Sequence, residues 1–130
     1  LHTMIKYFLI ALITTASFDL FAQSGEAIVG EWLTQNGEAR LTIYTEQGKY
    51  FGKIIWIKDS KQSAQLNTLI LTDFVFDAKE QEWNNGTVFE PRHGHKSSGY
   101  LILKDANTLK VTGYKGLRWI SDSEIWTRVK

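Results

Sequence analysis

Beyond Ala27 the chain alternates, with apolar and polar residues exchanging places at every second position. Turn residues interrupt this pattern about every eight to twelve positions, the spacing of a meandering β protein. Residues 28–34 read as a first strand, and Asn36-Gly37 after it predicts a two-residue type I′ hairpin turn, because both residue types tolerate positive φ. Residues 39–45 put Leu41 and Ile43 on one face and Arg40, Thr42 and Tyr44 on the other. Gln47-Gly48 turns the chain into residues 49–57. There Ile54 and Trp56 share one face, while Phe51, Ile55 and Ile57 share the other. A strand apolar on both faces is either covered outside or central in its sheet.

Residues 59–68 form a polar loop, and residues 69–76 read as a strand or as a short helix leading into one. Residues 77–82 are charged and expected at the surface. Asn85-Gly86 predicts a further turn, and residues 87–90 a short strand stopped by Pro91. A basic loop over 92–96 contains Gly94; residues 98–104 and 109–115 pair across Asp105-Ala106-Asn107; and a loop through Gly116 leads to a last strand at 124–129.

About eight strands joined by short loops, with no helix long enough for a parallel crossover, predict an all-β, antiparallel up-and-down barrel closed on itself. A two-sheet sandwich is the alternative that periodicity does not separate from it.

The 130 residues suffice for one domain, expected over 23–130. Lys and Arg number 15 against 14 Asp and Glu, interspersed rather than blocked, so nothing here grips a nucleic-acid backbone. Without cysteine there is no disulfide framework, thiolate metal site or catalytic thiol.

Before the alternating region lies a different pattern. Met4 is the expected start, with residues 1–3 upstream of it; Lys6 supplies a positive n-region, residues 7–18 are apolar, and Ala22 follows shortly after. This is the layout of a signal peptide over 1–22, cleaved after Ala22, and it predicts a periplasmic or secreted protein. No later segment is apolar enough to cross a bilayer as a helix, so no integral membrane span is expected after cleavage.

Four motifs carry a family resemblance. Gly30-Glu31-Trp32 opens the first strand, and Trp126-Thr127-Arg128 ends the last. Between them stand residues 83–91, WNNGTVFEP, followed by Gly94, and then Gly113-Tyr114-Lys115-Gly116. The ordered set resembles the calycins, the lipocalin-like barrels. Within them it is similar to an exported bacterial domain-of-unknown-function family with the pattern W-x-x-G-x-I-Y-D-P-x-x-G, G-Y-x-G, W-x-R. Phe89, Glu90 and His95-Lys96-Ser97 depart from that pattern. The resemblance implies a basic residue packed across the first Trp, which assigns Gly30, Trp32 and Arg128 to barrel closure. It implies a Gram-negative source and brings no activity with it.

Among chemistry-bearing residues, Glu90 lies two positions from Val88 and so on the same face. A carboxylate pointing inward needs a partner, for which Arg128, Tyr50 and Tyr114 are the candidates; a carboxylate at the rim beside Pro91 needs none. His93 and His95 have the spacing of a metal-binding pair, but they straddle Gly94 with no third ligand, and a solvated turn is the preferred reading. Tyr100 and Ile102 share an outward face, and Trp119, between Arg118 and Ile120, reads as exposed.

The function expected is binding of a small apolar or amphipathic molecule within the barrel, with Tyr50, Trp56, Glu90, Tyr114, Trp126 and Arg128 near the ligand. No metal, cofactor or catalytic residue is called for, since no nucleophile stands beside Glu90, His93 and His95. The alternative is a protein-interaction module, an inhibitor or assembly factor binding an envelope protein through Phe51, Ile55, Ile57 and Trp119.

Overall fold

The computed structural model describes residues 24–130, so the predicted signal peptide over 1–22 lies outside the described residues. A 3-10 turn over Gly25–Ile28 leads into eight strands: β1 (Gly30–Leu33), β2 (Ala39–Glu46), β3 (Lys49–Ile57), β4 (Leu69–Asp77), β5 (Glu82–Glu90), β6 (His95–Asp105), β7 (Thr108–Tyr114) and β8 (Ser121–Arg128). Each pairs antiparallel with the next, and β1 closes on β8 through Trp32 opposite Arg128 and Leu33 opposite Thr127. The result is the up-and-down barrel that the alternation predicts, with no sheet edge left to pair among the described residues.

The connections sort into two ends. At one end lie the entry to β1 and the tight turns after β2, β4 and β6; at the other lie the longer loops 34–38, 58–68, 91–94 and 115–120. Gln47 and Gly48 both take positive φ, the arrangement of a type I′ turn between Glu46 and Lys49. Asn36-Gly37 does not form such a turn. Thr34 and Ala39 close a four-residue loop instead, in which the Gly37 N–H donates to the Thr34 carbonyl.

Asn85-Gly86 also departs from expectation, because β5 runs straight through it. Asn85 sits at φ 60° where the pairing of β5 with β6 shifts register, so its tolerance of left-handed backbone serves a bulge rather than a turn. A strand over residues 69–77 replaces the helix alternative at β4, and residues 28–29 belong to the 3-10 entry instead of the first strand.

Phe74 sets the vertical organisation of the core. Gly86, Gly99 and Gly113 lie directly opposite one another across β5, β6 and β7. A Cβ on Gly86 would stand 2.4 Å from the Phe74 ring, and one on Gly99 would stand 2.5 Å from Val88 Cγ2 and 3.2 Å from Phe74 Cζ. The side chains missing at Gly86 and Gly99 therefore make the space that one buried aromatic ring fills, while Gly113 makes room for Ser97.

Toward the end with tight turns the interior is solid. Phe76 and Trp83 pack at 4.8 Å between ring centroids, and Tyr50 meets Trp83 edge-on at 6.4 Å. The 3-10 turn seals this end with the buried side chain of Ile28. Its carbonyls are taken up in turn: Trp83 Nε1 donates to Gly25 O at 3.0 Å, Arg128 Nη2 to Ala27 O at 2.6 Å, and Trp32 Nε1 to Ile28 O at 2.9 Å. A buried backbone segment is stable only with such partners.

Candidate ligand cavity

The opposite end is hollow. A cavity of about 1180 Å³ opens between the four longer loops. Its deeper wall is apolar, from Leu41, Ile54, Ile70, Val88, Val111 and Trp126. Alternation along the strands directs all of these inward except Ile70, which is buried beside Leu71 where the pairing of β3 with β4 shifts register. Its upper wall is charged. Glu90 and His95 face each other across β5 and β6, and Asp122 and Glu124 lie four and two positions before Trp126 on β8. Lys58, Arg92 and Lys115 complete the rim.

The rim groups are partly neutralised. Glu90 accepts from the His93 N–H at 2.8 Å and from His93 Nδ1. Partial burial raises the Glu90 carboxyl, but these His93 contacts outweigh it and hold the group below the ordinary Glu range. Arg92 lies 3.6 Å from Glu38, and Trp126 Nε1 donates to Glu124 Oε1. The His93 and His95 rings stack at 5.7 Å, and among the described residues no three potential ligands gather around a metal position.

Of the six residues expected near a ligand, Glu90, Tyr114 and Trp126 border this cavity, and Tyr50, Trp56 and Arg128 do not. Tyr50 is buried at the sealed end, where its hydroxyl donates to Glu26 Oε1 at 3.3 Å. Trp56 is outside the barrel under the Arg40 guanidinium, 5.0 Å from its ring centroid. The reason is a bulge: Leu41 pairs with Ile54 but Arg40 with Trp56, so Ile55 is an extra residue that reverses the facing beyond it. The same reversal brings Ile57 to the cavity wall instead of the outer face.

Arg128 belongs to the sealed end, so the Glu90–Arg128 pair does not form. Its guanidinium stacks 4.3 Å from the Trp32 ring centroid. Gly30, at φ 136°, leaves the room for it, since a Cβ there would meet Arg128 Nη1 at 2.9 Å. Gly30, Trp32 and Arg128 thus form one closing unit.

Glu82, expected at the surface, is buried and paired with Arg118. The sequence reading missed Asp122 and Glu124, although their spacing from Trp126 was sufficient to find them.

An eight-stranded antiparallel barrel sealed at one end by a 3-10 turn and an Arg-on-Trp stack, and hollow at the other, is a lipocalin-like barrel. The fold is similar to that of a solved structure described as "Protein HP1028 from the human pathogen Helicobacter pylori belongs to the lipocalin family", with a TM-score of 0.64, 14% identity, and coverage of 79% of this chain and 83% of that one. The chain belongs to the family described as "Uncharacterized protein conserved in bacteria (DUF2147)", whose model matches residues 30–128. No curated protein matches it.

Proposed function

We propose that this chain is an exported bacterial binding protein that takes a small amphipathic molecule, apolar end first, into the open half of the barrel. The observation carrying this reading is the gradient along the cavity wall, from Leu41, Ile54, Ile70, Val111 and Trp126 below to Glu90, Asp122, Glu124 and Lys115 above. Apolar surface at the bottom gains from a buried chain, and charged groups at the rim fix a polar head that stays near water. Phe74 over its glycine row stops the chain from passing deeper. The reading is one of binding without catalysis.

Native mass spectrometry of protein purified from a bacterial periplasm, with titration of dodecanoate, dodecylamine and dodecanol followed by intrinsic fluorescence, tests it. An adduct lost on denaturation, or saturable binding of any of the three, supports the cavity as a ligand site. Replacing Ile57 with Trp narrows the mouth and should weaken that binding about tenfold, whereas Trp56→Ala should leave it unchanged. A bare mass together with no binding of any probe sinks the reading.

A further inference from the structure

Residues 115–120 join β7 to β8 at the open end, and one side chain of this loop is held unusually firmly. Arg118 Nη2 lies 2.5 Å from Glu82 Oε2, and its guanidinium stacks 3.9 Å from the Tyr100 ring centroid. The Glu82 side chain is only 9% exposed, and a carboxylate that deep requires a cation. The Ile120 N–H donates to the Leu117 carbonyl at 3.1 Å, which tightens the loop around Arg118.

Fixing Arg118 against the barrel wall leaves its neighbours in water. Leu117 is 51% exposed, Trp119 80% and Ile120 64%, the three most exposed large apolar residues described. A loop anchored so that leucine, tryptophan and isoleucine are exposed together marks a contact surface. Ile120 also lines the cavity, so the apolar tip is continuous with its mouth.

We propose that the 115–120 loop is a docking tip that seats the open end of the barrel on a lipid surface. Size decides between a bilayer and a protein partner. A stable protein interface takes roughly 800 Å² from each side, far more than a tip of three side chains offers. A membrane interface accepts such a tip directly, because its apolar residues enter the acyl boundary and Trp prefers the headgroup level. Lys115 at the base of the loop and Lys58 on the same mouth make no ion pair among the described residues and are the cations available to lipid phosphates, on a rim that also carries Glu38, Asp59 and Glu90. Asp122 and Glu124 line the cavity from β8. This inference goes beyond the cavity reading and holds whatever the cavity contains.

The test mixes the purified protein with vesicles of phosphatidylethanolamine and phosphatidylglycerol and follows tryptophan emission and co-sedimentation. Trp32, Trp83 and Trp126 are buried, and Trp56 lies outside the barrel beneath Arg40, so the part of a blue shift that Trp119→Ser abolishes reports on Trp119. The expected result is sedimentation with vesicles and a blue shift, with Trp119→Ser losing the shift and binding about tenfold more weakly at unchanged circular dichroism. Arg118→Gln should also weaken docking, by releasing the loop. Wild-type protein that stays in the supernatant overturns the proposal, and so does Trp119→Ser sedimenting as well as wild type. Self-association abolished by Trp119→Ser, in protein that ignores vesicles, assigns the tip to a second copy and overturns it equally.

Discussion

Arg128 holds Trp32 and the 3-10 turn with a single side chain. Its guanidinium stacks 4.3 Å from the indole centroid while donating to the carbonyls of Ala27, Val29 and Ala106 at 2.6, 3.1 and 2.8 Å. One planar group thus joins the entry of β1, the turn before β7 and the end of β8. Arg128→Ala should cost about 2–4 kcal/mol in urea unfolding, the sum of charge-assisted hydrogen bonds and a cation–π contact. Arg128→Lys should recover less than half of it, because an ammonium does not span three carbonyls in one plane. Recovery to wild-type stability by Lys would show that charge alone matters there.

Phe74 and Gly86 are complementary in volume. With the ring 2.4 Å from a would-be Cβ, Gly86→Ala should lose about 1–3 kcal/mol through overpacking. Phe74→Leu should lose stability through the space it leaves, yet the double variant should be less destabilised than the sum of the two. Strict additivity in a double-mutant cycle would mean that the ring and the glycine are not coupled.

Tyr50 makes the sealed end sensitive to alkali. Burial raises its hydroxyl pKa first, and the nearby Glu26 carboxylate, to which the hydroxyl donates a hydrogen bond, raises it further. A group whose pKa is raised on folding stabilises the fold fully below its unfolded value of 10.0, and that contribution is lost as pH rises through the folded value. Stability should therefore fall above about pH 10 in wild type. In Tyr50→Phe this component of the alkaline loss should be absent. Parallel alkaline curves for the two proteins would remove Tyr50 from the account.

Glu82 and Arg118 should be unequal in their effects. Arg118→Ala leaves a buried carboxylate unpaired, but Arg118 is itself 49% exposed, so the cost should be about 1–2 kcal/mol rather than that of a fully buried pair. Adding Glu82→Gln should return part of the loss, since the amide no longer needs a cation. Chemical unfolding of the single and double variants decides the matter, and a further loss in the double variant would contradict the assignment.

Much of the barrel was legible because its determinants are local. Period-two alternation separated the two faces of β2 and β6 and put Val88 and Glu90 on one face of β5. Gln47-Gly48 marked its turn, and the G-x-W and W-x-R motifs placed both halves of the closing unit at the ends of the sequence. Left-handed backbone at Asn85 was signalled too, though its neighbours turned it into a bulge inside a strand.

The candidate site was less legible because a bulge is a relation between two strands. Nothing in residues 49–57 alone reveals that Ile55 is unpaired, yet that one residue moves Trp56 outside and Ile57 to the cavity wall. Likewise Glu82 reads as one more charge in a polar stretch until the 115–120 loop brings Arg118 onto it. By itself, the sequence determined the number and order of the strands, their antiparallel meander and the pairing of Gly30 and Trp32 with a distant arginine, since periodicity and motif carry these along the chain. Only the tertiary structure decided which end is sealed, where the cavity lies and which aromatic residues face it, because these follow from register and from contacts between residues far apart in the chain.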